Sequence, residues 1–381
     1  RYMEDQKREG IDLHPKLQGG ARRNLLHEFG EQALRDYFEK GTPYALSLRK
    51  YGLNIFHGPF ENGPQLIENK LLAIMPPGSN VISIQNQSET ASYEGEEAFF
   101  DRSTPSLFLS DDEWKDKAVT LIRHADLIVS EALMLSPAVQ FELEQALESD
   151  AWDKTVLILP PPSSEMETID GESIIRKFPR CIWADEFHTS DLGDSFLIRD
   201  LIERVTAINA LPEEQRSLLA DRELRLQRFP IDMELVAKSL EMTASWQSQY
   251  VDEDDRVKYY GYWYLFRANE IRKRLLSSDK VNDYERIQLI DNYLQMGYIM
   301  SEYKKEGERI VFTGDLTEAF QCATSALSLL SEFEDKNHLL YNHFTERVTK
   351  FLGNLQGINA VVKIQPERFI FRPRFSLFPK K

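Results

Sequence analysis

The stretch from Ser103 to Pro160 leaves few folds open. Three short runs in it are apolar nearly throughout, Pro105 to Ser110, Asp126 to Ser130 and Lys154 to Leu159, and charged helix-length segments beginning at Asp112 and Pro137 separate them. Brief strands with apolar residues on both sides need cover on both faces. A parallel sheet with helical crossovers supplies it. Ligands of such sheets gather at the carboxyl ends of the strands, so the loops around Ser110-Asp111, Ser130 to Ser136 and Pro160 to Pro162 are where function should be sought.

The same grammar extends to both sides. Arg22 to Lys40 repeats apolar residues at helical spacing (Leu25, Leu26, Phe29, Ala33, Leu34, Phe38) and stops at Gly41, which predicts a docking helix. Tyr44 to Arg49 and Asn80 to Ile84 read as strands flanking a helix from Gly63 to Met75, and Arg180 to Ala184 as a further strand before a closing helix, Ser195 to Ala210. At Pro212 the pattern changes to successive helices, near 212–225, 231–247, 256–277, 281–303, 314–333 and 336–353. Alternation in Ala360 to Ile364 and in Arg368 to Phe378 predicts a terminal strand pair. The expected organisation is a linker and docking helix over 1–42, an α/β domain over 43–210, a helical domain over 211–354 and a β segment over 355–381. The α/β sheet is expected to be parallel, flavodoxin-like or TIR-like, with flanking helices.

Composition excludes several classes. The 46 Lys and Arg against 62 Asp and Glu leave a formal charge of −16, which opposes a broad electrostatic grip on nucleic acid. Cys181 and Cys322 are too few and too distant for a disulfide scaffold, which points to a reducing, cytoplasmic setting. No apolar run is long enough to span a bilayer. The chain begins at Arg1, so a membrane tether would have to lie in a segment upstream of it. Gly58 and Gly63 do not form a dinucleotide or phosphate-loop fingerprint, and the seven histidines commit to no metal site.

Residues 43–161 resemble the TIR-like domain of bacterial proteins. The residues that carry the resemblance are Tyr44 to Arg49, Phe108-Leu-Ser-Asp-Asp-Glu-Trp, Ala125-Asp-Leu-Ile-Val, Ser136-Pro to Phe141-Glu-Leu-Glu, and Leu157-Ile-Leu-Pro. Enzymatic members of that family cleave the bond between nicotinamide and ribose in NAD with a glutamate on the helix after the third of these segments. The resemblance places that glutamate at Glu142, with Glu144 as the competing register. Departure of nicotinamide develops positive charge on the ribose, which a carboxylate stabilises. Around it, Arg49, Ser110, Asp111, Trp114 and Ser136 are candidate nucleotide contacts. Each also has a plain structural reading: capping for Ser136, Ser110 and Asp111, core packing for Trp114, and an internal ion pair for Arg49. NAD enters as substrate; no cofactor or metal is implied.

In the helical half, Tyr259, Tyr260, Tyr262, Trp263, Tyr264 and Phe266 offer more aromatic surface than one core stripe uses, beside a cationic set of Lys258, Arg267, Arg272, Lys273 and Arg274. Packing against neighbouring helices and a homo-oligomeric surface both account for them. Arg372, Arg374, Lys380 and Lys381 interleave with phenylalanines, as in an edge strand or a membrane-surface stripe. Two functions follow. One is a signalling or defence effector that binds, and in the enzymatic case hydrolyses, NAD or a related nucleotide. The other is a non-enzymatic TIR-like sensor or oligomerisation scaffold.

Overall fold

A computed structural model describes residues 20–48, 67–86, 105–110, 112–132, 137–159, 174–183, 195–249, 255–277, 283–306, 309–312, 314–333, 339–364 and 369–371. The chain forms two compact units. The first runs through Ile231, and the described part of the second begins at Asp232.

The first unit is built on a six-stranded parallel sheet of β1 (Tyr44–Leu48), β2 (Asn80–Asn86), β3 (Ser106–Leu109), β4 (Leu127–Glu131), β5 (Thr155–Leu159) and β6 (Arg180–Trp183) in the order β3-β2-β1-β4-β5-β6. All five residues of β1, β4 and β5 are buried, as strands covered on both faces require. The parallel α/β sheet is the one the sequence predicts. Its order is the doubly wound 3-2-1-4-5-6, whereas the flavodoxin-like order is 2-1-3-4-5. Here β3 stays beside β2, and it is β4 that crosses to the other side of β1.

Helices α1 (Gly20–Lys40), α2 (Ile67–Ile74), α3 (Trp114–His124), α4 (Pro137–Glu148) and α5 (Phe196–Asn209) cover the sheet. On α1 the buried stripe is Leu26, Ala33, Leu34 and Tyr37, while Phe38, expected on that face, is 45% exposed. Gly30 lets α1 approach the sheet closely. A methyl group there would stand 3.0 Å from the carbonyl of Ser106 and from Leu107, so α1 rests its backbone on β3. Gly41 ends α1 with φ of 65°, and its amide donates to the Tyr37 carbonyl. A side chain at Gly41 would strike the Arg216 carbonyl at 1.7 Å, because the next helices fold back over this point.

Those helices, α6 (Glu213–Ser217) and α7 (Arg222–Arg228), belong to the first compact unit. The shift to helical grammar at Pro212 therefore precedes the division between the units, which falls at Ile231. Arg216 Nε donates to the Lys40 carbonyl at 3.1 Å, and Arg225 Nη2 to that of Gly41 at 3.2 Å.

The second unit packs α8 (Met233–Gln249), α9 (Asp255–Ser277), α10 (Asp283–Met300), α11 (Leu316–Ser331) and α12 (Leu339–Ile364) in succession. A small sheet accompanies them: β7 (Tyr303–Glu306) and β8 (Arg309–Phe312) form an antiparallel hairpin, and β9 (Phe369–Phe371) joins β8 in parallel. The predicted terminal strand pair is corrected in part. Ala360 to Ile364 continues α12, so β9 finds its partner in the β7–β8 hairpin instead. The rest of 372–381, with its basic and aromatic residues, lies outside the described residues.

The interior of this unit contains buried polar and charged side chains. Arg272, fully buried, donates from Nε and Nη2 to both oxygens of Glu241 at 2.5 and 2.7 Å and from Nη1 to Glu285 at 2.6 Å. Asn292 links Glu241 to Asn269 at 2.7 and 3.0 Å. Arg267 is also buried, with its guanidinium 4.4 Å from the ring centre of Trp263. These two arginines are thus interior residues and not part of a cationic face. Tyr262, Trp263 and Tyr264 are buried within the unit as well, which settles their share of the aromatic surplus as packing.

Candidate functional site at the strand carboxyl edge

A doubly wound sheet has one place where the winding reverses, and ligands favour the crevice beyond the strand ends there. In this chain that place lies between β1 and β4, paired from Ala45 with Leu127 to Leu48 with Ser130. Side chains alternate along each strand, and paired residues of adjacent strands share a face. The register therefore fixes which groups reach the edge on which side.

On one face, Ser47, Ser83 and Ser106 stand in a row across β1, β2 and β3. Ser83 and Ser106 hydroxyls are 2.7 Å apart, and Ser47 Oγ donates to Glu68 Oε1 at 3.1 Å. Glu68 lies in the first turn of α2, so this is the α2 face, and it is only 1% exposed. Alternation along β4 from Val129, the partner of Ser47, puts Glu131 on the same side, 7% exposed.

The opposite face belongs to α3 and α4. Tyr44 Oη donates to the Leu121 carbonyl of α3 at 2.7 Å, so Tyr44, Leu46 and Leu48 point that way, and Ser130 with them. The Ser130 hydroxyl is fully buried and has no hydrogen-bond partner among the described residues. Helix α4 packs on α3 through Phe141 against Trp114, ring centres 5.1 Å apart and nearly perpendicular. Its buried side is Val139, Glu142, Leu143 and Ala146. Glu142 thus faces inward on the side that holds Ser130, whereas Glu144 is exposed and accepts from Gln140 at 3.1 Å.

Of the other candidates, Ser110 follows β3, and its hydroxyl donates to Glu113 at 2.8 Å while its carbonyl receives the amides of Glu113 and Trp114. It opens a turn. With β2 between β3 and β1, Ser110 stands about 10 Å from the reversal point at ordinary strand spacing. Trp114 is half-buried against Phe141, the neighbour of Glu142. Arg49, Asp111 and Ser136 lie outside the described residues. Among the described residues no group of three or more His, Cys, Asp or Glu is arranged to hold a metal ion. No described helix is long and apolar enough to cross a membrane.

A buried charge cluster that no local sequence pattern announces lies at the other end of the sheet. Asp126, 1% exposed just before β4, receives Arg204 Nη1 at 3.0 Å and Arg225 Nε at 2.9 Å on one oxygen. Arg180 makes a bidentate pair with Asp200 at 2.6 Å on both arms. Burial, followed by the charges of Lys154 and Arg123, lowers the His124 pKa to about 4, and Nδ1 of that ring lies 3.3 Å from Tyr37 Oη. These groups brace α5 and α7 against the amino edge, away from the crevice. Comparison with family models, with curated proteins and with solved structures gives no match to this chain.

Proposed function

We propose that the first unit binds a nucleotide in the crevice beyond β1 and β4 and that Glu142 acts there on the N-glycosidic bond between nicotinamide and ribose in NAD. The observation that carries this reading is the inward placement of Glu142 on the face that also holds the Ser130 hydroxyl, which is unpartnered among the described residues. A buried carboxylate at a strand-end crevice suits a ribose, whose hydroxyls donate to it and whose anomeric carbon becomes positive as the bond breaks. Nicotinamide leaves with the bonding electrons as a neutral ring, so no general acid is needed, and water completes the hydrolysis to ADP-ribose. The described edge groups are carboxylates and hydroxyls. Phosphate recognition is assigned to Arg49 and Ser136. The TIR-like resemblance supports the same assignment.

The test is product analysis after incubating the full chain with NAD, both dilute and clustered on a multivalent support. Nicotinamide and ADP-ribose are expected from the native chain and from Glu144→Gln, and not from Glu142→Gln with unchanged circular dichroism. Calorimetric binding of nucleotide without products would favour the sensor reading. Absence of both would overturn the site.

A further inference from the structure

Lys154 ends the three-residue turn before β5 and is 3% exposed. Its ammonium donates to the Arg123 carbonyl at 2.9 Å, and among the described residues no carboxylate lies within ion-pair distance. A buried lysine that is satisfied only by a backbone carbonyl is costly in its charged form. The charged groups that act on it are Asp126 before β4, Asp153 of its own turn, Arg204 of α5 and Arg222 of α7, and the neighbouring His124 of α3 also faces Arg123, Arg222 and Arg225. One Asp126 oxygen already serves both Arg204 and Arg225, so cations are in surplus.

The same arginines fasten residues 213–229. Arg222 Nη2 donates to the Ser149 carbonyl at 2.6 Å, Arg225 reaches Asp126 and the Gly41 carbonyl, Arg216 reaches the Lys40 carbonyl, and Arg204 Nε donates to the Phe229 carbonyl at 2.8 Å. Apolar burial is limited, since Leu218 and Leu224 are 65% and 49% exposed, Leu226 and Phe229 are half-buried, and Leu219 is the one fully buried apolar side chain of the segment. The segment is held by charged hydrogen bonds, and two of the arginines that make them, Arg204 and Arg222, act electrostatically on Lys154.

We propose that Lys154 is a proton-sensitive latch: loss of its proton tightens the seating of residues 213–229, which lead into the second unit, on the amino edge of the sheet. Burial above all, with Arg204 and Arg222 adding to it against Asp126 and Asp153, lowers the lysine to about 7. An opened segment admits water and returns the amine toward its usual value near 10.5. The seated state therefore binds fewer protons than the open one between those values. Its stability rises with pH through that window and is flat below about pH 7.

Hydrogen exchange of the full chain, corrected for intrinsic rates, tests this at pH 6 and pH 8. The opening constant for amides in 213–229 should fall about tenfold from pH 6 to pH 8. Amides of β4 and β5 should not follow, and Lys154→Met should remove the difference. Protection in 213–229 that is the same at both values in the native chain overturns the latch, whether or not the variant folds. So does a change that β4 and β5 share equally, or one that survives in Lys154→Met.

Discussion

Asp126 and Glu142 show how differently two buried carboxylates can be supported. Asp126 shares one oxygen between two guanidinium groups, from Arg204 and Arg225, that are themselves 9% and 2% exposed. Removing the carboxylate leaves two buried cations without their counter-charge, which is the costly half of breaking such a cluster. Asp126→Ala should lower unfolding stability by about 3–5 kcal/mol, read from the denaturant midpoint. A loss below about 1 kcal/mol would mean that water replaces the carboxylate freely. Glu142 could be proposed from the sequence because the resemblance that places it, with Glu144 as the competing register, rests on a short local run, Phe141-Glu-Leu-Glu; in the fold Glu142 shares the buried side of its helix with Val139 and Ala146. The role of Asp126 could not be, since its partners lie 78 and 99 residues away and neither arginine stands in a local pattern.

At the scale of elements, alternation and period predicted every sheet strand of the first unit, because each strand is short, buried and bounded by turns. They failed where two periods compete. Ala360-Val-Val-Lys-Ile has β-branched residues that suit a strand, yet α12 already runs from Leu339 and extending a formed helix adds a hydrogen bond for each residue fixed. The β7–β8 hairpin falls between the helices predicted at 281–303 and 314–333, and Lys304, Lys305 and Glu306 carry no apolar alternation that would announce a strand. Glycines on these helices now separate two roles. A methyl group at Gly297 of α10 would come within 2.6 Å of the Phe351 ring of α12, while at Gly353 it would meet nothing within 4 Å. Gly297→Ala should therefore destabilise by about 1–3 kcal/mol through overpacking. Gly353→Ala should stabilise by about 0.4–1 kcal/mol, since the exposed helix loses only the backbone freedom of glycine in the unfolded chain. Thermal unfolding of the two variants checks both signs, and a stabilising Gly297→Ala would contradict the α10–α12 contact.

At the scale of the whole molecule, the change of sequence grammar at Pro212 suggests cutting the chain after residue 210, but the physical unit ends later and begins earlier than the sheet. Strands β2 and β3 are covered by α1, whose backbone at Gly30 rests on the Ser106 carbonyl. At the amino edge, Asp126 depends on Arg225 of α7, and the carbonyls of Lys40 and Gly41 accept from Arg216 and Arg225. A fragment of residues 43–210 would lose α1 and both of these arginines together, which exposes the apolar face of β2 and β3 and leaves Asp126 with Arg204 alone. A fragment of residues 20–231 keeps all of these contacts. The longer fragment should elute as a discrete species with a cooperative thermal transition, and the shorter one should aggregate or unfold without cooperativity. A soluble, cooperatively folding 43–210 fragment would show that the sheet carries its own stability, and the arginine fastening of 213–229 would then be an ornament on a finished domain. Failure of the shorter fragment alone would make helices that flank the sheet in sequence part of the same cooperative body.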